Sequence, residues 1–114
     1  MFVSEIENVP KEKVSMEGAA GVSVQWLINE KSGAPNFAMR LFTVAPHGHT
    51  PRHKHDFEHE ILVMSGKGNL IDETGKPHAL MPGMFAYVPP DETHQFQNSG
   101  DDDFRFICLV PIRK

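Results

Sequence analysis

Cysteine is almost absent from this 114-residue chain, which contains one residue of this type, Cys108. A single cysteine excludes an intramolecular disulfide, so packing has to stabilise the fold and no oxidising compartment is implied. Basic residues are also few, because 11 lysines and arginines stand against 15 acidic residues and the formal net charge is −4. They form no stripe that could follow a phosphate backbone, so we do not expect nucleic-acid binding.

Long apolar runs are missing as well. No segment approaches the roughly 20 apolar residues that a membrane-spanning helix needs. Residues 1–7 lack the basic start and the apolar run of a signal peptide. We therefore expect a cytoplasmic protein with no membrane partner. The length predicts a single domain, residues 1–114, with one core.

A helical period of apolar residues over three turns is also lacking, whereas turn-forming residues recur about every eight to twelve positions. Short stretches rich in β-branched and aliphatic residues between these turns predict strands. We expect only short edge segments before residue 22, and a strand that stops at Pro46. Closure hides unpaired strand edges, so the prediction is an all-β sandwich or barrel whose mouth could hold a small ligand. The predicted strands are 22–28, 37–45, 59–65, 69–71, 78–80, 84–88, 93–98 and 104–110.

Histidines are concentrated in one stretch. His53 and His55 lie two positions apart, so in an extended chain their rings point to the same face. His59 begins a predicted strand that could hold a third imidazole, and His94 follows later in the chain. One histidine alone is more often a surface or core residue, but four in this pattern predict a metal site. Neutral imidazoles favour divalent Mn, Fe, Co, Ni, Cu or Zn over Ca or Mg.

Other polar and aromatic residues receive structural interpretations. We expect Trp26 in the core or at a subunit interface rather than in a ligand cavity. We expect Arg40 to face solvent rather than an anionic ligand. The acidic triplet at residues 101–103 is interpreted as a solvated turn, because adjacent side chains on a turn diverge. Three further histidines are left out of the site, namely His47, His49 and His78.

The segment 83–98 carries a specific motif. Gly83, Pro89, His94 and Asn98 have the spacing G-x5-P-x4-H-x3-N, which resembles the second motif of the cupin family without a gap. The first cupin motif is also present, at the matching separation in the sequence. The resemblance is strong because it rests on both motifs.

Residues from about 48 to 66 resemble the first cupin motif, in which two histidines and a glutamate precede a glycine. His53 and His55 occupy the histidine positions, and Gly66 occupies the glycine position. His59 stands where the family usually has the glutamate, and the adjacent Glu60 fits a looser spacing. Strand alternation places these two side chains on opposite faces, and the count to the glycine selects His59 as third ligand.

The resemblance covers residues 22–110 and is greatest to small four-histidine manganese cupins of thermophilic bacteria. It implies a double-stranded β-helix, or jelly-roll barrel, usually as a homodimer, with one divalent metal inside. The implied ligands are His53, His55, His59 and His94. The implied metal is Mn first and Fe second, with Cu, Ni, Co or Zn as further alternatives.

This ligand set has chemical consequences. Four neutral ligands leave an ion its full charge, which favours anionic or chelating substrates, and an octahedral ion would keep two positions for water, substrate or oxygen. Cys108 is interpreted as a small buried core residue, the alternative being an outer-shell group near the ion. We expect a dry cavity walled by apolar side chains. The wall residues are Phe42, Phe96, Phe104, Phe106 and Ile61.

Two classes of function fit this site. The first is a metal-dependent oxidoreductase of dioxygenase type that acts on a small organic molecule. The second is a non-catalytic module that binds a metal or a small ligand, and a Lewis-acid isomerase is a further alternative. The fold alone does not choose between them.

Overall fold

The regular secondary structure of the chain is almost entirely β-strand, as the spacing of its turns predicts. The computed structural model describes residues 1–113, which contain nine strands, two single-turn 3-10 helices and no α-helix. No helix in this part of the chain has the length and apolarity to cross a membrane. The 3-10 helices are Ile6–Asn8 and Glu30–Ser32. The strands are β1 (Glu12–Lys13), β2 (Ala20–Ile28), β3 (Phe37–His49), β4 (His59–Ser65), β5 (Gly68–Ile71), β6 (Pro77–Leu80), β7 (Phe85–Val88), β8 (Gln95–Asn98) and β9 (Phe104–Pro111).

The long strand β3 connects the two halves of the sheet, whose strand order is β6-β5-β8-β3-β9-β4-β7 with β2 also paired to β3. It pairs with β9 as far as Val44 and with β8 at His49. The prediction that the strand stops at Pro46 is wrong, because the proline lies where β3 changes partners. Proline has no backbone N–H to donate, but at this change of partners no hydrogen bond between strands is lost. His47, with a φ of 67°, marks the bend.

Alternation along the strands separates an inner from an outer face. In β9 every second residue is buried, beginning with Phe104. In β4 the buried side chains start with His59, whereas Glu60 is exposed on the outer face. The all-β cupin-like barrel expected from the sequence is confirmed by this topology. The core consists of Val22, Ala38, Val44, Ile61, Val63, Leu80, Phe96, Phe104, Phe106, Cys108 and Val110.

An isolated antiparallel bridge joins the two histidine-bearing segments of the chain. The N–H of His53 donates to the carbonyl of His94 at 3.1 Å, and the reverse hydrogen bond measures 2.9 Å. His94 comes directly before β8, so the sheet fixes its position. The bridge places two histidines side by side that are far apart in sequence.

The N-terminal segment is attached to β2 by a buried glutamine. The side-chain amide of Gln25 donates to the carbonyls of Ile6 at 3.0 Å and Val9 at 2.9 Å. The N–H of Val14 donates to the carbonyl of Val22 at 3.0 Å. These hydrogen bonds hold the first residues across the outer strand, where the sequence predicted only short edge segments.

The turn between β4 and β5 requires glycine at position 66. Gly66 has a φ of 79°, and a Cβ atom there would overlap the carbonyl oxygen of Asp103. Gly75 has a φ of 89°, but a Cβ atom would meet nothing within 4 Å.

We expect Gly66→Ala to lower the free energy of unfolding by about 3 kcal/mol, through backbone strain and overlap. Gly75→Ala should cost about 1 kcal/mol from strain alone. Urea denaturation measures both, and equal losses would contradict the packing described for Gly66.

Candidate metal centre

Three imidazoles lie close together in the fold. His53, His55 and His94 each offer one side-chain nitrogen, and these three nitrogens lie within 4.8 Å of one another. The ring centroids of His53 and His55 are 4.3 Å apart, and those of His53 and His94 are 5.1 Å apart. Divalent zinc binds imidazole nitrogen at roughly 2.0–2.1 Å, so nitrogens on opposite sides of an ion lie about 4 Å apart. The cluster therefore has the dimensions of a site that could hold a metal ion.

A fourth imidazole, that of His59, stands beside this cluster. It is buried, and its ring centroid lies 4.7 Å from that of His55 and 5.1 Å from that of His94. The nitrogens of His59 do not belong to the group formed by His53, His55 and His94, whose members lie within 4.8 Å of one another. Its Nε2 atom is buried and has no hydrogen-bond partner among residues 1–113. A buried polar atom without a partner costs about 1–3 kcal/mol, and a metal ion facing Nε2 would remove that cost.

Backbone carbonyls fix the tautomers of two of these rings. Nδ1 of His53 lies 2.7 Å from the carbonyl oxygen of Pro51, and Nδ1 of His94 lies 2.9 Å from that of Glu92. A carbonyl oxygen can only accept, so each Nδ1 carries the hydrogen and donates it. The neutral ring then keeps its free lone pair on Nε2, which is the atom available to a metal.

Burial keeps these imidazoles neutral. Desolvation, followed by the positive charge of Arg40, lowers the pKa of His59 to about 3. Desolvation, followed by the neighbouring His53, lowers the pKa of His55 to about 4. Desolvation also lowers the pKa of His94. Because metal binding requires deprotonated imidazoles, the site is prepared for an ion at neutral pH without having to release protons from these three residues.

Arg40 and Cys108 adjoin the histidines. Nη2 of Arg40 donates to Sγ of Cys108 at 3.0 Å and lies 3.5 Å from Nδ1 of His59. The same sulfur lies 3.2 Å from His59 Nδ1. Burial raises the pKa of the Cys108 thiol, although the nearby guanidinium opposes this, so the thiol is neutral at pH 7. The Arg40 guanidinium carbon lies 5.3 Å from the Trp26 ring centroid and 4.8 Å from that of Phe42.

Two predictions about the wall of this cavity are wrong. Arg40 lines the cavity instead of facing solvent. Trp26 also lines the cavity and is 38% exposed, so it is not a core residue, whereas its expected place at a subunit interface stays a prediction. The two residues are paired across β2 and β3, and the faces of the aromatic rings accept the guanidinium. Alternation identifies the face on which a side chain lies. It does not say whether that face meets a packed core or a cavity.

The cavity beside the histidines has a volume of about 270 Å³. Of the five predicted wall residues, Phe42, Phe96 and Phe106 line it, whereas Phe104 and Ile61 lie in the core. Within the described chain, its wall contains no aspartate or glutamate. Two further lining residues, Val14 and Met16, were missed because residues 1–21 show no regular alternation that could have signalled them.

The remaining sequence-based assignments can be located in the fold. Cys108 is buried and 2% exposed, as expected for a core residue, but it also contacts His59, as in the alternative interpretation. Glu60 points away from the cavity. His78 forms an exposed pair with Asp72 at 2.8 Å, and residues 101–103 are exposed, as predicted.

Solved structures and curated proteins resemble this chain over most of its length. It matches the polyketide cyclase RemF from Streptomyces resistomycificus with a TM-score of 0.94 and 32% identity, covering 99% of this chain and 80% of that one. The oxalate-binding protein of Thermotoga maritima is 27% identical over 96% of this chain and 93% of its own length.

A glucose-6-phosphate isomerase from Thermococcus litoralis is 32% identical over 72% of this chain and 49% of its own length. The chain spans between 23% and 58% of the length of the first curated relatives that it matches. What these proteins share with this chain is therefore one region of a longer polypeptide.

A family model provides the broader assignment. The Cupin domain model matches residues 40–110, which is well over half of the chain and includes all four histidines of the candidate centre. The closer resemblance to four-histidine manganese cupins stays a prediction. The chain belongs to the cupin family.

Proposed function

We propose that this protein is a metal-dependent enzyme that acts on a small carbonyl compound. In this proposal His53, His55, His59 and His94 bind one divalent transition-metal ion, with Mn as the first candidate and Fe as the second. The observation that carries it is the convergence of three imidazoles, with the ring of His59 beside them, at an otherwise largely apolar cavity without carboxylates. A bound divalent ion would supply a Lewis acid that polarises a carbonyl oxygen.

The inclusion of His59 as the fourth ligand rests on its burial. Its Nε2 has no partner, and Cys108 occupies the space next to Nδ1. The sulfur thus has the position at His59 that backbone carbonyls have at His53 and His94. Each of these three rings is held at Nδ1, which leaves Nε2 as the nitrogen for the ion. Glu60 cannot share this role, because it lies on the outer face of β4.

The aromatic wall would hold the substrate and exclude water. The Phe96 and Phe106 rings stack with centroids 4.5 Å apart, and those of Phe42 and Phe106 are 5.4 Å apart. Removing water strengthens electrostatic interactions between the substrate and the neighbouring charges. No carboxylate of the described wall competes for the ion's charge.

The relatives support carbonyl chemistry in particular. The polyketide cyclase is 32% identical and the glucose-6-phosphate isomerase is also 32% identical over the matched region. Cyclisation of a polyketide and isomerisation of a sugar phosphate both transform carbonyl compounds without consuming an oxidant. Their reactions are not assigned to this chain, but they favour a Lewis-acid role over oxidation.

Dioxygenase-type oxidation is the second candidate. It is favoured by the all-nitrogen site, since neutral ligands without a carboxylate raise the reduction potential of Mn or Fe. A metal-binding module without catalysis is the remaining outcome of the test below.

The homodimer implied by the family resemblance stays a prediction. The outer face of β4 and β7 exposes Leu62, Met64, Phe85 and Tyr87, and β7 ends the strand order of the sheet. Exposed apolar patches of this kind are common at subunit interfaces. Sedimentation of the wild type and of Phe85→Lys would test this surface, and a monomeric wild type would contradict it.

The reaction class can be tested with hexane-2,5-dione, which cyclises by an internal aldol reaction. We expect the metal-loaded protein to accelerate the appearance of the conjugated cyclic ketone, followed by its ultraviolet absorbance, equally under argon and in air. Oxygen uptake that depends on an organic substrate would instead favour the dioxygenase. A loaded protein that shows neither activity across a panel of small diketones and phenols would support the binding module.

The ligand set predicts which substitutions remove the metal. His59→Ala and His94→Ala should each reduce bound metal at least tenfold from about one ion per chain, because the loss of one ligand exposes the ion and lowers its affinity. Mass spectrometry of the purified proteins measures this. Glu60→Ala and Cys108→Ala are the controls and should keep the ion. Metal loss in Glu60→Ala would remove His59 from the proposal, and loss in Cys108→Ala would show that the sulfur either binds the ion or is required to hold the ring of His59.

The buried imidazoles also predict a pH dependence for the metal-free protein. Burial lowers the pKa of His55 to about 4 and of His59 to about 3, whereas an unfolded histidine has a pKa of about 6.5. The unfolded chain therefore takes up protons first as the pH falls. Stability is complete above about pH 6.5 and decreases towards about pH 4, by at least about 2 kcal/mol. Urea denaturation of the chelator-treated protein tests this, and His59→Ala should show a smaller dependence. A stability that rises on acidification would contradict it.

A further inference from the structure

The cavity contains a positive charge to which the proposed function gives no role. Arg40 is the only lysine or arginine in its described wall, and no aspartate or glutamate is present there. The two ion pairs of residues 1–113 join His78 to Asp72 and Arg113 to Asp56, so neither involves Arg40. A guanidinium in an apolar cavity is costly unless an anion accompanies it.

The hydrogen-bond donors of Arg40 are only partly used. Nη2 donates to Sγ of Cys108, but Nε is buried and has no acceptor. The aromatic rings of Trp26 and Phe42 attract the positive charge through their faces, but they accept no N–H in the plane of the guanidinium. The stacking therefore orients the fork of donors. A ligand can reach Nη1, which has no hydrogen bond among the described residues and, unlike Nε, is not a buried atom.

The position of Arg40 relative to the histidines defines the ligand. Its Nη2 lies 3.5 Å from Nδ1 of His59, whereas Nε2 of that ring is the nitrogen left for the ion. A molecule in the cavity can thus approach the guanidinium with one end while another of its oxygen atoms faces the imidazole cluster. Both groups line the same cavity of about 270 Å³.

We propose that the substrate is a small apolar acid with a carbonyl group, and that Arg40 binds its carboxylate. This inference rests on the proposed function, because it assigns a substrate class to the same cavity. The planar guanidinium matches a carboxylate with two parallel hydrogen bonds. The apolar wall, including Val24, Phe96 and Phe106, suits the hydrocarbon part of such a molecule.

A carboxylate fits this site better than a phosphate. A phosphate monoester carries close to two negative charges at neutral pH and three acceptor oxygens, which several donors usually share. The described wall offers one guanidinium and no lysine. Apart from the charge of the proposed metal ion, the one positive charge of the wall matches the single negative charge of a carboxylate.

Trp26 provides a direct measurement of binding. It is the only tryptophan of the chain, it lines the cavity, and it contacts Arg40. We would titrate the metal-loaded protein with cyclohexanecarboxylate, its neutral analogue cyclohexanecarboxamide, and cyclohexyl phosphate, following tryptophan fluorescence. We expect the carboxylate to bind about 10- to 100-fold more tightly than the carboxamide, since a hydrogen bond to a charged group is at stake.

Substitutions of Arg40 identify the group responsible. Arg40→Met should remove the preference for the carboxylate, while affinity for the carboxamide and metal content stay near wild type. Arg105→Met is the matched control, because Arg105 lies in β9 with its side chain on the outer face, and it should change neither affinity. If Arg40→Met does not fold, Arg40→Lys decides: it should bind the carboxylate about tenfold more weakly, since lysine lacks the planar fork. Unchanged carboxylate affinity in the variant used would overturn the inference.

The variant His53→Ala separates this inference from the proposed function. A preference for the carboxylate that survives in metal-depleted His53→Ala and disappears in Arg40→Met supports Arg40 independently of the ion. A preference lost in His53→Ala but kept in Arg40→Met would place the carboxylate on the metal and overturn the inference, while leaving the metal site intact. Tighter binding of cyclohexyl phosphate than of the carboxylate would overturn the substrate class.

Discussion

The pair of backbone hydrogen bonds between His53 and His94 is the contact on which the candidate centre depends. It joins a segment that follows β3 to the residue that precedes β8, and it is made by the very residues whose rings face the cavity. Their Nδ1 atoms are then held by the carbonyls of Pro51 and Glu92. Position, tautomer and direction of both rings thus follow from backbone geometry, which a change of neighbouring side chains would leave in place.

The third oriented ring, His59, depends on a side chain instead. Sγ of Cys108 contacts both Nδ1 of this histidine and Nη2 of Arg40, and these two nitrogens lie 3.5 Å apart. All three residues project from the inner face of adjacent strands, because Arg40 is paired with Cys108 across β3 and β9, and β9 is the neighbour of β4. The sulfur therefore connects the positive group of the cavity to one wall of the histidine cluster. A charge brought to the guanidinium changes the surroundings of that imidazole.

Much of this architecture can be predicted from the sequence, because two-residue alternation is a local property. The strand that begins at His59 and the final strand from Phe104 follow the predicted limits closely, and the same parity places Glu60 outside. The continuation of β3 past Pro46 could not be predicted, since it depends on a change of partner strand. The prediction that Arg40 faces solvent failed for a related reason. Whether the inner face of a strand borders a cavity depends on the assembled barrel, and the local sequence does not show it.

The buried hydrogen bonds of Gln25 to the N-terminal segment have a consequence for how such a protein could diversify. They attach a stretch whose Val14 and Met16 form part of the cavity wall, while all four histidines come from elsewhere in the chain. Part of the cavity shape is consequently encoded apart from the metal ligands. Exchanging this stretch between related barrels would alter which molecules fit, with the metal ligands unchanged, so selectivity can evolve independently of reactivity.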